Sequence, residues 1–413
     1  MADLAWRLLQ QGYDAVAADR AARGGADDFE TRLLGRRAVV VRSREGARIF
    51  YDESVVRRRD AIPPPLGWLL FGRGAVHTLD PPEHRDRKGL LLELVSPERL
   101  ASLGEEVDTR LRVAVAAWPG SRVHVHDQLV QVYGAAVLRW AGVPLDERDA
   151  ADRSRQLAEI VDGFGFSGGA YTRAWQARVQ SDRWATRLVE EVRAGRVRVP
   201  VGSAVAVLAG SDLPARTAGV ELLNLLRPTV AVAWLGTFAA LRFGQDPSWR
   251  ARLVDPGGHR ERFAYAQEVR RTTPFVPALA ARVHQRADLG GLVVQPGDRL
   301  VLDVPGIDHD PARWPDPQRF DPARFLSAEP GPFDLVPQGG GSPSAGHRCP
   351  GESATMVLLD VTLRVLGLVD YQVTGSGVDR RRIPTLPEGG LVLRVPQVVA
   401  GEEDMSAGST GYR

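Results

Sequence analysis

Pro337-Gln338-Gly339-Gly340-Gly341-Ser342-Pro343-Ser344-Ala345-Gly346-His347-Arg348-Cys349-Pro350-Gly351-Glu352 contains the only cysteine of the 413-residue chain. Its glycines let the backbone approach a flat ligand closely. A helix is predicted to follow, with Cys349 at its entrance and Pro350 suited to the first helical position. Free amides and the positive dipole end would lower a thiol's pKa there and favour the thiolate. A thiolate is the ligand a haem iron needs if it is to cleave an O–O bond. On the loop alone, an inert buried cysteine remains open beside haem ligation. A phosphate-cradling loop is the weaker alternative, because no Walker or Rossmann pattern surrounds it.

Upstream, Glu268-Val269-Arg270-Arg271 sets a Glu and an Arg three apart on one helix face, a spacing that by itself usually marks a solvated pair. Some fifty residues later comes Pro322-Ala323-Arg324-Phe325, and then the cysteine loop. Further upstream lies the longest apolar stretch, about 222–243, within a predicted long helix over 213–243. Asn224, Arg227 and Pro228 in its first third argue for a buried core helix rather than a membrane span. Pro228 removes an amide, so a kink is expected beside Asn224. Arg227 is costly in such surroundings unless paired, and its planar fork suits a carboxylate. From the helix alone it could equally snorkel outward or meet a structural acid.

The rest of the chain reads as α-rich with a minor β component. An amphipathic helical pattern covers 4–23, a short strand 38–42 and a helix 43–50. Pro63-Pro64-Pro65 predicts an extended loop. Helical periodicity dominates 97–193, broken near 118–120 and 163–169, and another helix is expected over 259–272. Short strands are expected at 292–294 and 300–302, with a strand pair around 391–395. The tail, 397–413, is small and polar and is expected to be disordered.

Composition is that of an ordinary globular protein, 44% hydrophobic and 25% charged. Net charge is only +2, and Lys88 is the sole lysine among 53 basic residues, so no nucleic-acid footprint is seen. A lone cysteine excludes an intramolecular disulfide. No secretory signal is visible at the amino terminus, so a cytoplasmic protein is expected. His124 and His126 alternate on a possible strand but make a poor metal site alone.

The ordered set of Glu-x-x-Arg helix, third arginine and cysteine loop resembles the cytochrome P-450 family. With the Arg227-Pro228 pair, the likeness is to its bacterial fatty-acid peroxygenase branch. It extends to Arg32-Leu33-Leu34-Gly35, Asp60-Ala61-Ile62-Pro63, Leu70-Phe71-Gly72, Ala141-Gly142-Val143-Pro144 and Gln267–Arg271, over about residues 4–396. The resemblance implies a mainly α cytochrome P-450 fold forming one haem domain over 1–396, with haem b between the long central helix and the Cys-loop helix. The cysteine loop departs from the usual family pattern: Ser342 stands where Phe is common, Ala345 where Gly is common, and the loop looks lengthened.

Further expectations follow from the likeness. Cys349 is the axial iron ligand; Glu268, Arg271 and Arg324 form a structural ion network; Arg58, His84 and His347 contact the haem propionates, and Lys88, one helical turn past His84, either joins them or is a solvated surface residue. The central helix lacks the acid–alcohol pair of reductase-fed members. Arg227 is therefore expected to hold a substrate carboxylate that serves as acid–base for hydrogen peroxide, with Pro228 beside it. No redox partner and no membrane span are expected. Leu70, Phe71 and Phe275 match channel-lining positions for the alkyl chain, though each could be plain core. His77 matches a position associated with decarboxylation, so α/β-hydroxylation with some terminal alkene is expected. The rivals are a reductase-dependent monooxygenase on the same fold and a non-catalytic haem-binding protein.

Overall fold

The computed structural model describes residues 3–165, 168–375 and 377–397. The expected polar tail, apart from Gln397, lies outside the described residues. Helices dominate, and the core is organised around the helix Ala215–Gln245. By length and composition this helix could cross a membrane, but 94% of its apolar window is buried inside the protein. It packs between the helices Val125–Trp140 and Gly169–Arg193. A Cβ at Gly219 would come 2.8 Å from the Thr186 amide nitrogen, so glycine permits that close crossing. The helix runs unbroken through Pro228. The hydroxyl of the next residue, Thr229, donates to the Leu225 carbonyl one turn back at 2.9 Å.

A five-stranded sheet forms the second layer, in the order Phe29–Leu33, Arg36–Val41, Arg299–Asp303, Ala278–Val283, Val56–Arg57. Only the pairing of Arg36–Val41 with Arg299–Asp303 is parallel, with Ala38 opposite Arg299. A three-stranded sheet joins Arg122–His124, Val392–Arg394 and Gln372–Thr374. The strands at 29–33 and 278–283 were not expected from sequence. Phe29-Glu30-Thr31-Arg32-Leu33 alternates correctly but is short and charged, and it is stabilised by its partner rather than by propensity.

Three local expectations are corrected. The pattern over 4–23 divides into Leu4–Gln11 and Ala15–Ala21 around Gly12. Gly12 has φ of +59°, and a Cβ there would collide with the Arg380 backbone. The Pro63-Pro64-Pro65 run is not an extended loop: Pro63 caps the helix Pro64–Leu70, whose first two positions are prolines. Amides there have no intrahelical partner, so their loss costs nothing. Pro350 is not at the first helical position either. Gly351 is the cap, and the helix is Glu352–Gly367.

Candidate active site

A cavity of about 1210 Å³ lies between the central helix and the cysteine loop, and both Cys349 and Arg227 line it. The Glu268 network assembles behind the cysteine side. Arg271 donates Nε and Nη2 to the two Glu268 oxygens, each at 2.7 Å, with both side chains fully buried. Arg324 reaches Glu268 at 3.4 Å, and the Asp321 amide adds a bond of 2.8 Å. The remaining Arg271 protons go to the carbonyls of Asp308, Pro317 and Arg319. Such a pair is expensive to bury but fixes one arrangement, here the chain leading into the loop.

Two more arginines shape the loop itself. Arg270 and Arg348 both bind Glu352, at 2.7 Å each. The Cys349 amide donates to the Gln338 carbonyl at 2.9 Å. Cys349 is half-buried on the cavity wall, and desolvation by the surrounding protein pushes its thiol up from the ordinary range despite help from the Gly351 amide. That corrects the expected lowering: the helix begins too late for its dipole to outweigh desolvation, and Glu352 adds a like charge.

Lys88 also departs from expectation. Its ammonium is buried and donates to three loop carbonyls, Gly346 at 2.7 Å, Arg348 at 2.9 Å and Ala345 at 3.3 Å. All three of its protons are thus used on the loop, leaving none for a propionate. Burial lowers its pKa to about 8.

The other three propionate candidates converge on the cavity wall. Arg58 donates to the Phe50 carbonyl at 2.9 Å and lies over the Phe50 ring, while its Nη1 has no partner. His84 and His347 stack with ring centres 3.8 Å apart. Burial keeps both neutral, His84 with a pKa of about 4. The His84 Nδ1 is buried without a partner. With Glu53 the two histidines also form a group whose ligand atoms lie within 4.8 Å of one another.

Across the cavity, Arg227 is 5% exposed and its Nε has no partner. Among the described residues it makes no ion pair. Burial first, then the neighbouring Arg178, lowers its pKa to about 9, so it stays charged at neutral pH. The Phe71 ring lies between two basic groups, 5.9 Å from the Arg227 guanidinium and stacked on His77. Burial and the Arg227 charge depress the His77 pKa to about 3. Leu70, Pro228 and Phe275 line the same cavity. The Phe275 carbonyl accepts from Tyr13 at 2.9 Å, and its ring is 6.4 Å from Trp234.

Sequence reasoning missed Glu221. It lies fully buried, accepting from the Val76 amide at 2.9 Å, Arg87 at 2.8 Å and Asn224 at 3.1 Å. An acid inside an apolar helix two turns before Arg227 was a visible signal. His126 and His124 have structural partners, the Thr237 hydroxyl and the Gly389 carbonyl.

Residues 264–396 match the cytochrome P450 family model. The structure superposes on cytochrome P450SP alpha (CYP152B1) in complex with (R)-ibuprophen with a TM-score of 0.90 and 35% identity, covering 95% of this chain and 98% of that one. The chain belongs to the cytochrome P-450 family. Cytochrome P450EX alpha (CYP152N1) with myristic acid gives a TM-score of 0.88 at 33% identity, over 95% of this chain and 96% of that one. A variant of cytochrome P450 OleT in complex with arachidonic acid gives 0.90 at 30%, over 96% and 97%. Among curated proteins, putative cytochrome P450 138 of Mycobacterium tuberculosis is 28% identical, covering 87% of each chain.

Membership implies haem on a cysteine thiolate, and Cys349 is the one cysteine available. The cavity fits that group. A sulfur faces it, and the partnerless donors of Arg58 and His84 stand on its wall for an acidic edge.

Proposed function

We propose that this cytochrome P-450 is a haem-thiolate peroxygenase that hydroxylates fatty acids at the α or β carbon with hydrogen peroxide. The observation that carries this is Arg227: a buried guanidinium that pairs with no acid among the described residues, in the same cavity as Cys349. Bound at Cys349, haem would supply the oxidising chemistry, with Arg58, His84 and His347 holding its acidic edge.

A lone buried cation is unfavourable, and a carboxylate with a bidentate fit relieves it. The carboxylic acids bound by the three similar structures are of this class. Held by Arg227, the carboxylate is the group that takes a proton from hydrogen peroxide and returns it to the departing oxygen as water. One peroxide oxygen enters the C–H bond and the other leaves as water, so no reductase is needed. Anchoring the acid fixes reach: the second and third carbons lie closest to the reacting centre. The alkyl chain runs along Leu70, Phe71 and Phe275, each buried methylene contributing about 0.8 kcal/mol. His77, neutral and stacked beyond Phe71, favours a minor path in which the acid loses carbon dioxide and leaves a terminal alkene. That path consumes one peroxide and forms two waters.

The test is turnover of myristic acid with hydrogen peroxide alone, compared with reductase and NADPH. Hydroxy acids from peroxide alone are expected. Products only with the reductase would make the protein a monooxygenase, and none under either condition a haem binder.

A further inference from the structure

Three arginines stand about the first half of the central helix, and only two of them have an acid. Arg87 meets Glu221 at 2.8 Å, and Arg178 is bonded to Asp182 one turn along its own helix. Arg227 makes no ion pair among the described residues. The group is therefore one negative charge short.

Arg178 comes from the helix Gly169–Arg193, which packs against the central helix. Its side chain is 1% exposed and donates Nη2 to Asp182. Its Nε and Nη1 are buried without a partner, although an enclosed guanidinium ordinarily uses its whole fork. Gly72 fixes its place. With φ of +92°, this glycine passes so near that a Cβ would lie 3.0 Å from Arg178 Cζ and 2.9 Å from Cγ1 of Val220 on the central helix. The residue before it is Phe71, whose ring is 5.9 Å from the Arg227 guanidinium. The Phe71-Gly72 turn thus borders both cations, one through its ring and the other through its backbone.

The two charges act on each other: Arg178 disfavours the charged form of Arg227. Asp182 offsets this only in part, because it is 25% exposed and solvent screens it, whereas the Arg178 charge is enclosed. A carboxylate received by Arg227 would relieve both guanidiniums at once, and an uncharged headgroup neither. We propose that Arg178 is a positioning residue for the headgroup: a second buried cation, wedged against Gly72, that makes the Arg227 site select a carboxylate over an alcohol of the same chain length. Arg178 does not line the cavity, so it acts through Arg227 rather than on the substrate directly. The proposal rests on the reading of Arg227 as the carboxylate anchor given above.

The test is calorimetric titration of the haem-loaded full chain with myristic acid and with myristyl alcohol. Arg178→Met should weaken binding of the acid about tenfold and leave the alcohol unchanged, by loss of one Coulombic attraction in a buried site. Asp182→Asn leaves Arg178 in place without its neutralising acid, so the acid should bind about threefold more tightly. Loss of a purely structural brace would instead loosen it. Far-ultraviolet circular dichroism checks that each variant is folded, and if Arg178→Met is not, Asp182→Asn decides. Equal weakening of acid and alcohol by Arg178→Met would overturn the inference, as would an unweakened acid. Unchanged or weaker binding of the acid by Asp182→Asn would overturn it too. Arg227→Ala separates this from the underlying reading. If that variant keeps its affinity for the acid, the anchor itself is wrong; if it loses affinity while Arg178→Met does not, only the role of Arg178 falls.

Discussion

The Glu221 carboxylate accepts the Val76 amide at 2.9 Å, tying the central helix to the segment that carries His77. The same oxygen accepts from Arg87, and the other from Asn224. Glu221→Ala would leave a buried amide and a guanidinium without their acceptor. A loss of about 3–5 kcal/mol in unfolding free energy is expected, by the cost of breaking a buried pair. Glu221→Gln retains an acceptor and should lose less. Urea unfolding of both variants checks the order, and equal loss would refute it.

Arg227→Ala should abolish headgroup binding while leaving the carbon monoxide spectrum near 450 nm intact. A fall of about a hundredfold or more in kcat/KM for myristic acid is expected, from the loss of a charge-assisted bidentate contact and its positioning. Steady-state kinetics with peroxide measures it. An unchanged kcat/KM would sink the proposed role.

His77 should influence the product, and its charge should not. Because burial and Arg227 hold its pKa near 3, it is neutral throughout pH 5–8. Gas chromatography should therefore find an alkene-to-hydroxy-acid ratio without an inflection in that range. His77→Phe should lower the alkene fraction, whereas an unaltered ratio would exclude His77 from the branch point.

Acid should destabilise the fold through its buried histidines. Burial lowers the pKa of His126 and His309 to about 4. The unfolded chain binds these protons from pH 6.5 downward, and the folded chain only near pH 4. Stability is thus complete above pH 6.5 and is lost as pH falls toward 4, by about 2 kcal/mol per group between pH 7 and 5. Urea midpoints across that range should fall, and His126→Phe should flatten the curve.

Lys88→Met removes the brace of three loop carbonyls without adding charge. Haem should leave the protein about tenfold faster, the effect expected from losing a buried charge-assisted contact. Transfer of haem to an excess of apomyoglobin measures the rate, and no change would show that the loop holds its shape unaided.

Much of this architecture was legible because it repeats strong local signals. The apolar run of 213–243 and the helix over 259–272 are long enough for periodicity to fix them. The Glu268–Arg271–Arg324 set was legible only through the likeness of its order to the cytochrome P-450 family, since the spacing alone marks an ordinary solvated pair. Where the sequence misled, tertiary context had overridden a local rule. Three consecutive prolines began a helix instead of preventing one, because only its first turn had to accept them. Lys88 was read as reaching for a cofactor, since nothing in sequence places it within 3 Å of Gly346 and Arg348. The Cys349 thiol was read from its neighbours in the chain, whereas burial, a property of the whole fold, decided its direction. The strand Ala278–Val283 was missed because two of its central residues are alanines, and it gains its place by pairing with Arg299–Asp303.

The solitary charge on Arg227 has a consequence for timing. Under the proposed function, with its acid–base group delivered by the incoming molecule, the enzyme would be incomplete until it is occupied. Peroxide arriving early would find no carboxylate on Arg227, so an idle protein would be spared from consuming oxidant or being damaged by it. Substrate would then be both the thing transformed and the switch that permits transformation.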